Sequence, residues 1–368
     1  MSWVPAIDGW LVRSRALALA VMRDPVRFTV DDPRFTTGQV VGPSMLSLDG
    51  EQQRRHRRPF IGPFRAGQVV ANYQASVERR ATELVAGLKA QGRAELRTEL
   101  AGPLATSVIT DALGLVDANT ADILGWYRHI VAGVLALSDG EDIPTSTLAA
   151  VESLRERVIR TISELDPSKP GASGIGALLR TVQSSADLST EELFSNTAVL
   201  MFGAIETSEG MTANALFHLL THPEQMAEVQ ARPELLDQAI DESLRLEPAA
   251  AVIDRYATVD ATLGPDEVQI HAGDLVRVSL SDANRDSAHF ESPARFDVHR
   301  HNAADHLSFV QGPHACIGSH LARLETKAAL SAVFDLLPGI AIDAAETTAP
   351  SGLIFRKPDR LTAAWPPG

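Results

Sequence analysis

The chain has 368 residues, of which 45% are hydrophobic and 5% aromatic, and its formal net charge at pH 7 is −14. The apolar fraction is enough for a sizeable core, while the acidic balance argues against a nucleic-acid-binding surface. A single cysteine excludes an intrachain disulfide and fits a reducing cytoplasm. We therefore expect a cytoplasmic globular protein that binds no nucleic acid.

The first elements are a helix and a short strand. The apolar run Ala16 to Met22 predicts an amphipathic helix rather than a signal peptide. Phe28-Thr29-Val30, followed by Asp31-Asp32-Pro33, predicts a short strand and a turn. No apolar run reaches the ~20 residues of a membrane span, so we expect no membrane association. No repeat or low-complexity linker divides the chain, and residues 1–368 are expected to form one domain.

A basic segment follows, with four arginines within five positions, Arg54, Arg55, Arg57 and Arg58. Such a run is usually a solvated helix face. In an acidic protein it is also a place to meet an anion, either the carboxylate of a bound molecule or an acidic partner protein. The sequence alone leaves both interpretations open.

A long helix is predicted from the capping-box pattern Ser189-Thr190-Glu191-Glu192 to about Leu220. About thirty residues make roughly 45 Å of helix, enough to cross a whole domain. Its apolar middle changes character at Glu206 and Thr207. A carboxylate in a buried helix is costly unless it is bonded, paired or used, whereas a helix that turns its polar side to solvent bears no such cost. Periodicity does not decide between these alternatives.

The remaining patterns are a helical ion pair and two possible strand pairs. Glu242 and Arg245 lie at i and i+3, so their side chains can pair on one helix face. Alternation in 268–271 and 275–278 around a short loop predicts a β-hairpin. A last strand pair is predicted near 353–355 and 360–362. The fold class is therefore mainly α with a small β region.

The only cysteine, Cys316, lies in the stretch from Phe309 to Glu325. Gly312, Pro313 and Gly318 favour a tight loop, and an apolar helical pattern follows. A thiol at a helix N-terminus favours the thiolate, either as a metal ligand or as a nucleophile paired with a distant histidine. A free cysteine is also often a small buried hydrophobe. One cysteine cannot supply a zinc or iron–sulfur site, whereas a haem needs only one thiolate.

The pattern of Phe309, Gly312, His314, Cys316 and Gly318 resembles the cysteine-ligand loop of the cytochrome P-450 family, Phe-Gly-x-Gly-x-His-x-Cys-x-Gly. Val310 departs from it at the first glycine. Other stretches resemble the same family in the same order along the chain. They are Gln53 and Arg57, where glutamine replaces histidine; Gly203 to Thr207, where Ala204 replaces glycine; Glu242 and Arg245; and Arg255.

The resemblance implies the family's fold, with haem b between the long central helix and the cysteine loop. Cys316 would ligate the iron, and Thr207 and Glu206 would deliver protons while dioxygen is activated. Further cofactor contacts implied by the resemblance are Gln53, Arg57, Arg255, Phe309 and His314. The implied activity is that of a bacterial monooxygenase of secondary metabolism that hydroxylates a small to medium-sized hydrophobic substrate.

The sequence gives less information about the substrate pocket and the electron donor. Candidate pocket residues are nearly all apolar; they are Val40, Val41, Ala204, Ile205, Ala249, Val252 and Ile354. No flavin- or nicotinamide-binding glycine fingerprint is present in the sequence, so electrons are expected from a separate ferredoxin. The expected docking residues are Arg54, Arg55, Arg58 and Arg323.

Three other functions are compatible with the sequence. The same fold can serve non-hydroxylating oxidation, such as coupling or peroxide-driven chemistry. Cys316 and one of the eleven histidines could instead form a cysteine hydrolase. A haem sensor or carrier without turnover is the third alternative, and Glu206 and Thr207 argue against it.

Overall fold

The computed structural model describes residues 1–115, 120–138, 140–164 and 188–366. Helices predominate among them, as the sequence predicts. The α-helices are α1 Arg15–Met22, α2 Thr36–Val41, α3 Gly50–Ile61, α4 Ala66–Leu88, α5 Gly102–Leu113, α6 Thr120–Ser138, α7 Thr145–Glu164, α8 Thr190–Thr221, α9 Pro223–Ala231, α10 Leu236–Leu246, α11 Leu280–Ala283 and α12 Ser319–Leu336. None of these helices combines the length and the apolar character needed to cross a bilayer.

The described residues form small β-sheets. The strands are β1 Ser2–Val4, β2 Gly9–Val12, β3 Phe28–Thr29, β4 Arg93–Glu95, β5 Val252–Ala257, β6 Ala261–Leu263, β7 Val268–Ile270, β8 Leu275–Ser279, β9 Ala341–Ile342 and β10 Thr362–Ala364. The largest sheet has the order β1-β2-β8-β5-β3, and two smaller sheets have the orders β4-β10-β9 and β6-β7. The predicted mainly α fold with a small β region is confirmed.

The predicted hairpin of 268–271 and 275–278 is wrong, although both segments are strands. β7 pairs with β6, and Leu263 lies opposite Val268. β8 instead pairs antiparallel with β5 and parallel with β2, where Val12 lies opposite Val278. The alternation that predicts a strand says nothing about its partner, and a parallel partner always comes from a distant part of the chain.

The predicted strand pair near 353–355 and 360–362 is also wrong. Phe355 makes only an isolated bridge to Ala250, and β10 pairs with β4 and β9. The segment 350–357 is a turn in which backbone bonds run to residues 249–251. The apolar residues 353–355 therefore belong to this turn and not to a strand of the sheet that contains β10.

The described residues fall into two compact units. The first comprises residues 1–29, 76–104 and those from 206 onward, and the second comprises 30–75 and 105–205. The first unit contains all of the sheets, and its core includes the fully buried Val12, Phe28 and Val276. In the second unit α6 and α7 pack closely, since a Cβ at Gly133 would lie 2.4 Å from the Thr147 side chain. The expectation of a single domain stays a prediction.

The long central helix α8 begins as the capping box predicts. The Glu192 N–H donates to Ser189 Oγ over 3.3 Å, and the Ser189 N–H donates to Glu192 Oε2 over 2.8 Å. These reciprocal bonds satisfy donors that a helix start leaves without intrahelical acceptors. The helix then continues for 32 residues without a proline, and its residues from 206 onward belong to the first unit.

Candidate active site

The cysteine loop lies immediately before α12, in the first unit. Cys316 precedes the first residue of this helix by three positions and is exposed. Its N–H donates to the Phe309 carbonyl over 2.8 Å, and the Ala315 N–H donates to the Gly312 carbonyl over 3.0 Å. The loop thus holds the thiol at the N-terminal end of a helix, where first-turn N–H groups favour negative charge.

Two residues of this loop adopt left-handed backbone conformations. Gly312 has φ +81°, and a Cβ there would lie 2.4 Å from the Met22 carbonyl oxygen, so the position requires glycine. Val310 has φ +59°. A β-branched residue is strained in this region by about 1–2 kcal/mol. The departure from the family's glycine at Val310 therefore costs stability in the loop that presents the cysteine.

α12 and the central helix are joined by polar contacts in the first half of α12. Thr212 Oγ1 and Thr326 Oγ1 lie 3.0 Å apart in a buried position. The Glu325 side chain is buried, and its burial raises the pKa well above 4.5 against the opposing effect of a hydrogen bond with Ser208. The two elements that the resemblance places on either side of the cofactor therefore lie together in the first unit.

Glu206 and Thr207 follow at the start of this part of the central helix. Glu206 is only 8% exposed, which answers the question left open by periodicity, and Thr207 beside it is half-buried. Lys357 Nζ lies 2.8 Å from Glu206 Oε1 and 3.1 Å from Glu209 Oε1. Arg97 Nη1 pairs with Glu209 over 2.9 Å. The buried acid is thus one member of a four-residue charge cluster.

The other predicted cofactor contacts of the first unit lie on β5 and in the cysteine loop. Arg255 is buried on β5, and its Nη1 donates to the Asp254 carbonyl over 2.7 Å. His314 is half-buried in the 3-10 turn that precedes Cys316. The Phe309 ring lies 5.1 Å below the Arg323 guanidinium. All three side chains are held on elements of the unit that contains Cys316.

The basic segment forms α3 in the second unit, where its side chains have different surroundings. Gln53 is buried, Arg57 is half-buried, and Arg54 and Arg58 are exposed. Arg55 instead forms an ion pair with Glu192 and lowers the pKa of that carboxyl to about 2. The four arginines are therefore not one uniform patch.

Arg323, the remaining predicted docking residue, also has a specific partner. Its guanidinium pairs with Asp241, and the same carboxylate lies 3.6 Å from His306 Nε2. Arg323 is thus part of a packed cluster in the first unit, together with the Phe309 ring. Engagement of this kind makes a side chain a poorer target for an incoming acidic protein.

The candidate pocket residues divide between the units. In the first unit the turn at 350–357 brings Ile354 to the segment 249–252, since the Ala251 N–H donates to the Ile354 carbonyl over 2.8 Å. Ala249 is buried there, and Val252 is half-buried. In the second unit Val40 and Val41 are buried on α2, while Ile205 is buried and Ala204 half-buried on the central helix.

Sequence reasoning missed the partners of the buried acid. Arg97, Glu209 and Lys357 come from three separate stretches, and no local pattern points from one to another. The one property of the sequence that sets Lys357 apart is composition, because Lys357 is one of four lysines in a chain whose basic residues are nearly all arginine.

The donor set fits a haem. Within the described residues, no group of three or more His, Cys, Asp and Glu side chains is placed to hold a metal ion. The chain offers a single exposed thiol at a helix N-terminus, which suits a cofactor whose macrocycle supplies the in-plane ligands. Arg255, buried on β5 of the unit that contains Cys316, carries N–H groups of the kind that bind carboxylates.

Known proteins resemble this chain over nearly its whole length. The family model Cytochrome P450 matches residues 145–336. The chain is 33% identical to the cytochrome P450 monooxygenase PikC of Streptomyces venezuelae, over 91% of the chain and 79% of that protein. It is 31% identical to the mycinamicin VIII C21 methyl hydroxylase of Micromonospora griseorubida, over 90% of the chain and 83% of that protein.

A solved structure agrees with these matches. The crystal structure of P450BioI in complex with acyl carrier protein ligated to hexadec-9Z-enoic acid superimposes with a TM-score of 0.85. That protein is 25% identical, and the match covers 97% of this chain and 92% of that chain. The cysteine hydrolase alternative finds no support in these relatives. The sequence matches and the shared fold show that this chain belongs to the cytochrome P450 family, as a monooxygenase with haem b as its cofactor.

Proposed function

We propose that this enzyme hydroxylates a small to medium-sized hydrophobic molecule of secondary metabolism, with electrons from a separate acidic ferredoxin. The observation that supports it most is the buried Glu206 beside the half-buried Thr207, on a helix joined by Ser208 and Thr212 to the helix that follows Cys316. An acid and an alcohol in this position suit proton delivery, which peroxide-driven chemistry needs less. The names of the relatives, which include a methyl hydroxylase, agree with this proposal.

Each proposed cofactor contact has a distinct role. When bound, haem b supplies the activation of dioxygen and the oxidation of a substrate C–H bond. Cys316 would provide the thiolate ligand from the loop that precedes α12, and Phe309, whose ring packs against Arg323, would contact the cofactor from the same loop. By the family resemblance, Arg57, Arg255 and His314 would donate to the haem carboxylates, for which an arginine can supply forked, charge-assisted hydrogen bonds. Gln53 contributes an amide donor without charge.

The proton path is assigned to two neighbouring side chains. Glu206 takes protons from the polar cluster at its carboxylate, and the Thr207 hydroxyl passes them into the pocket. Substitution of Glu206 by glutamine keeps the shape of the side chain and removes its proton exchange. A loss of about 10²-fold in product formation is expected, the lower end of the range for general acid–base groups.

The substrate proposal rests on the apolar character of the predicted pocket residues, of which Ala249, Val252 and Ile354 lie on adjoining segments of the first unit. Apolar pockets with few polar groups bind hydrophobic molecules. The test is turnover of a panel of fatty acids, a steroid and a macrolactone under isotope-labelled dioxygen. A hydroxylated product with the label in the new hydroxyl supports the proposal. Oxidised products without the label, or turnover with peroxide alone, would favour the non-hydroxylating alternative.

The electron donor is proposed to dock at Arg54 and Arg58, the two exposed arginines of α3. Arg54 pairs with Glu51 over 2.8 Å, but both side chains are largely exposed, and such a surface pair contributes little. Arg55 and Arg323, which the sequence also suggested, are held in less exposed ion pairs with Glu192 and Asp241. Electrostatic steering of an acidic partner acts mainly on the association rate and weakens with salt.

Charge reversal tests this surface. Arg54→Glu with Arg58→Glu should slow reduction by an acidic ferredoxin about tenfold at low salt and much less at high salt. Arg128→Glu with Arg160→Glu is the matched control, because both arginines are exposed and the change in net charge is the same. Equal slowing in both variants would show that net charge, rather than this face of α3, governs the encounter.

A further inference from the structure

Lys357 connects the buried acid of the central helix to the turn at 350–357, which contains the pocket candidate Ile354. Its ammonium group lies 2.8 Å from Glu206 Oε1 and 3.1 Å from Glu209 Oε1, two carboxylates that lie three residues apart on one helix face. Arg97 pairs with Glu209 from the other side. In the part of the chain that the structure describes, Lys357 is the cation paired with Glu206.

The turn that contains Lys357 is fixed by its own backbone. The Ser351 N–H donates to the Lys357 carbonyl over 3.1 Å, and the Lys357 N–H donates to the Ser351 carbonyl over 3.3 Å. Gly352 has φ +121°, and a Cβ there would lie 1.9 Å from the Phe355 carbonyl oxygen. Only glycine fits this position. The turn presents Leu353, which is 89% exposed, and the pocket candidate Ile354 beside it.

The same turn is also bonded to the central helix beyond the charge cluster. Asn214 Nδ2 donates to the Arg356 carbonyl over 2.9 Å. A Cβ at Gly210 would lie 3.1 Å from the Ala249 side chain and 3.5 Å from the Arg356 carbonyl oxygen, so the glycine permits this close approach. A displacement at Leu353 or Ile354 therefore reaches Lys357 through a short and well-bonded segment.

The choice of lysine at this position matters chemically. A guanidinium holds a carboxylate through a rigid fork, whereas an ammonium on a flexible stem has three donors that it can redistribute between acceptors. Lys357 lies between two carboxylates, and Arg97 already neutralises one of them. The ammonium can therefore shift towards Glu209 and leave the Glu206 carboxylate to turn to Thr207.

We propose that Lys357 is a positioning residue for Glu206, and that it ties this proton-relay acid to the 350–357 turn, which contains the pocket candidate Ile354. This inference rests on the role proposed above for Glu206. It adds that the proton relay is set by the segment that is proposed above to line the substrate pocket, so contact of a ligand with Leu353 or Ile354 controls where the carboxylate points.

Amide hydrogen exchange of the holoenzyme tests the tie without reference to turnover. In Lys357→Met and in Glu206→Gln, amides of the 350–357 turn should exchange about tenfold faster, which corresponds to a loss of about 1.4 kcal/mol of local stability. Lys327→Met is the matched control, because Lys327 on α12 likewise forms an ion pair, with Asp237 on α10 over 2.8 Å. This variant should leave the amide exchange rates of the 350–357 turn unchanged. Wild-type exchange rates in Lys357→Met would overturn the proposal.

A second measurement is the share of consumed electrons recovered as hydroxylated product rather than peroxide, with the panel compound of highest turnover. Lys357→Met should lower this share about tenfold, less than the effect expected for Glu206→Gln, and Lys357→Arg should restore only a small part of it, because the rigid guanidinium fork does not redistribute between the two carboxylates. If Glu206→Gln leaves the share unchanged, the proposed role of Glu206 fails. If Glu206→Gln lowers it and Lys357→Met does not, only the role of Lys357 fails.

Discussion

Two charge clusters in the first unit use similar groups in opposite ways. In the first cluster, Glu242 accepts from Arg245 over 2.7 and 2.8 Å and from Arg300 over 3.0 Å. The side chains of Glu242 and Arg245 are 0% exposed, which confirms the predicted pair. The remaining N–H groups of Arg245 donate to backbone carbonyls of Asn284, Pro293 and Arg295.

The second cluster, around Lys357, is partly exposed and less completely bonded. Its side chains are 10–25% exposed, and a lysine is shared between two carboxylates. A guanidinium with every donor satisfied cannot exchange partners without leaving a buried charge unpaired. A shared ammonium can do so at low cost. We infer that the first cluster fixes the fold and that the second permits motion of a proton-relay acid.

The largest expected effect is in the closed cluster. Glu242→Gln leaves two buried guanidinium groups without their carboxylate and should lower the free energy of unfolding by about 3–5 kcal/mol. Urea denaturation of the holoenzyme measures this loss. The control is Glu234→Gln, because Glu234 pairs with Arg232 on the surface and such solvated pairs contribute little to stability. Similar losses in both variants would contradict the assignment of a structural role to the closed cluster.

A smaller loss is expected in the open cluster. Glu209→Gln removes the partner of Arg97 and one partner of Lys357, and charged hydrogen bonds of this kind contribute about 1.5–3 kcal/mol. Partial exposure allows water to replace the lost bonds, so the decrease in the free energy of unfolding should be clearly smaller than in Glu242→Gln. The same denaturation series compares the two variants. A loss equal to that of Glu242→Gln would remove the distinction between the clusters.

The pH dependence of stability tests the contact between the two helices that flank the site. Burial raises the pKa of Glu325 well above 4.5, so the folded protein retains this proton where the unfolded chain releases it. Its contribution is therefore complete below pH ~4.5 and is lost as pH rises towards the raised pKa, by about 1.4 kcal/mol per pH unit. Glutamine does not titrate, so the stability of Glu325→Gln relative to wild type should increase with pH. A difference that stays constant would contradict a buried, protonated Glu325.

The sequence predicted features whose signals are local. The capping box at Ser189, the helix after Cys316 and the pair Glu242–Arg245 each depend on residues a few positions apart, and the structure confirms them. The residues that resemble the P450 family also lie in short contiguous motifs. The cofactor and proton-relay roles of individual residues, including Cys316 and Thr207, stay predictions.

Features that depend on distant residues were not predictable in the same way. β8 finds its partners in β2 and β5, of which β2 lies more than two hundred residues earlier, so the hairpin prediction failed. Glu206 pairs with Lys357, and Arg97 joins the same cluster through its ion pair with Glu209. Both cations lie far from the central helix in the sequence. The sequence did mark Val310 as a departure from the motif, yet only the backbone shows that this valine has a left-handed φ of +59°.

The central claim is that the Cys316 thiolate is the protein's ligand to haem iron. The most direct measurement is the visible spectrum of the reduced protein under carbon monoxide, recorded for wild type and for Cys316→Ala. We expect the thiolate-ligated band that gives the family its name in wild type and its loss in the variant. A wild-type protein that purifies without iron-porphyrin, or a variant that keeps the band, would contradict this account.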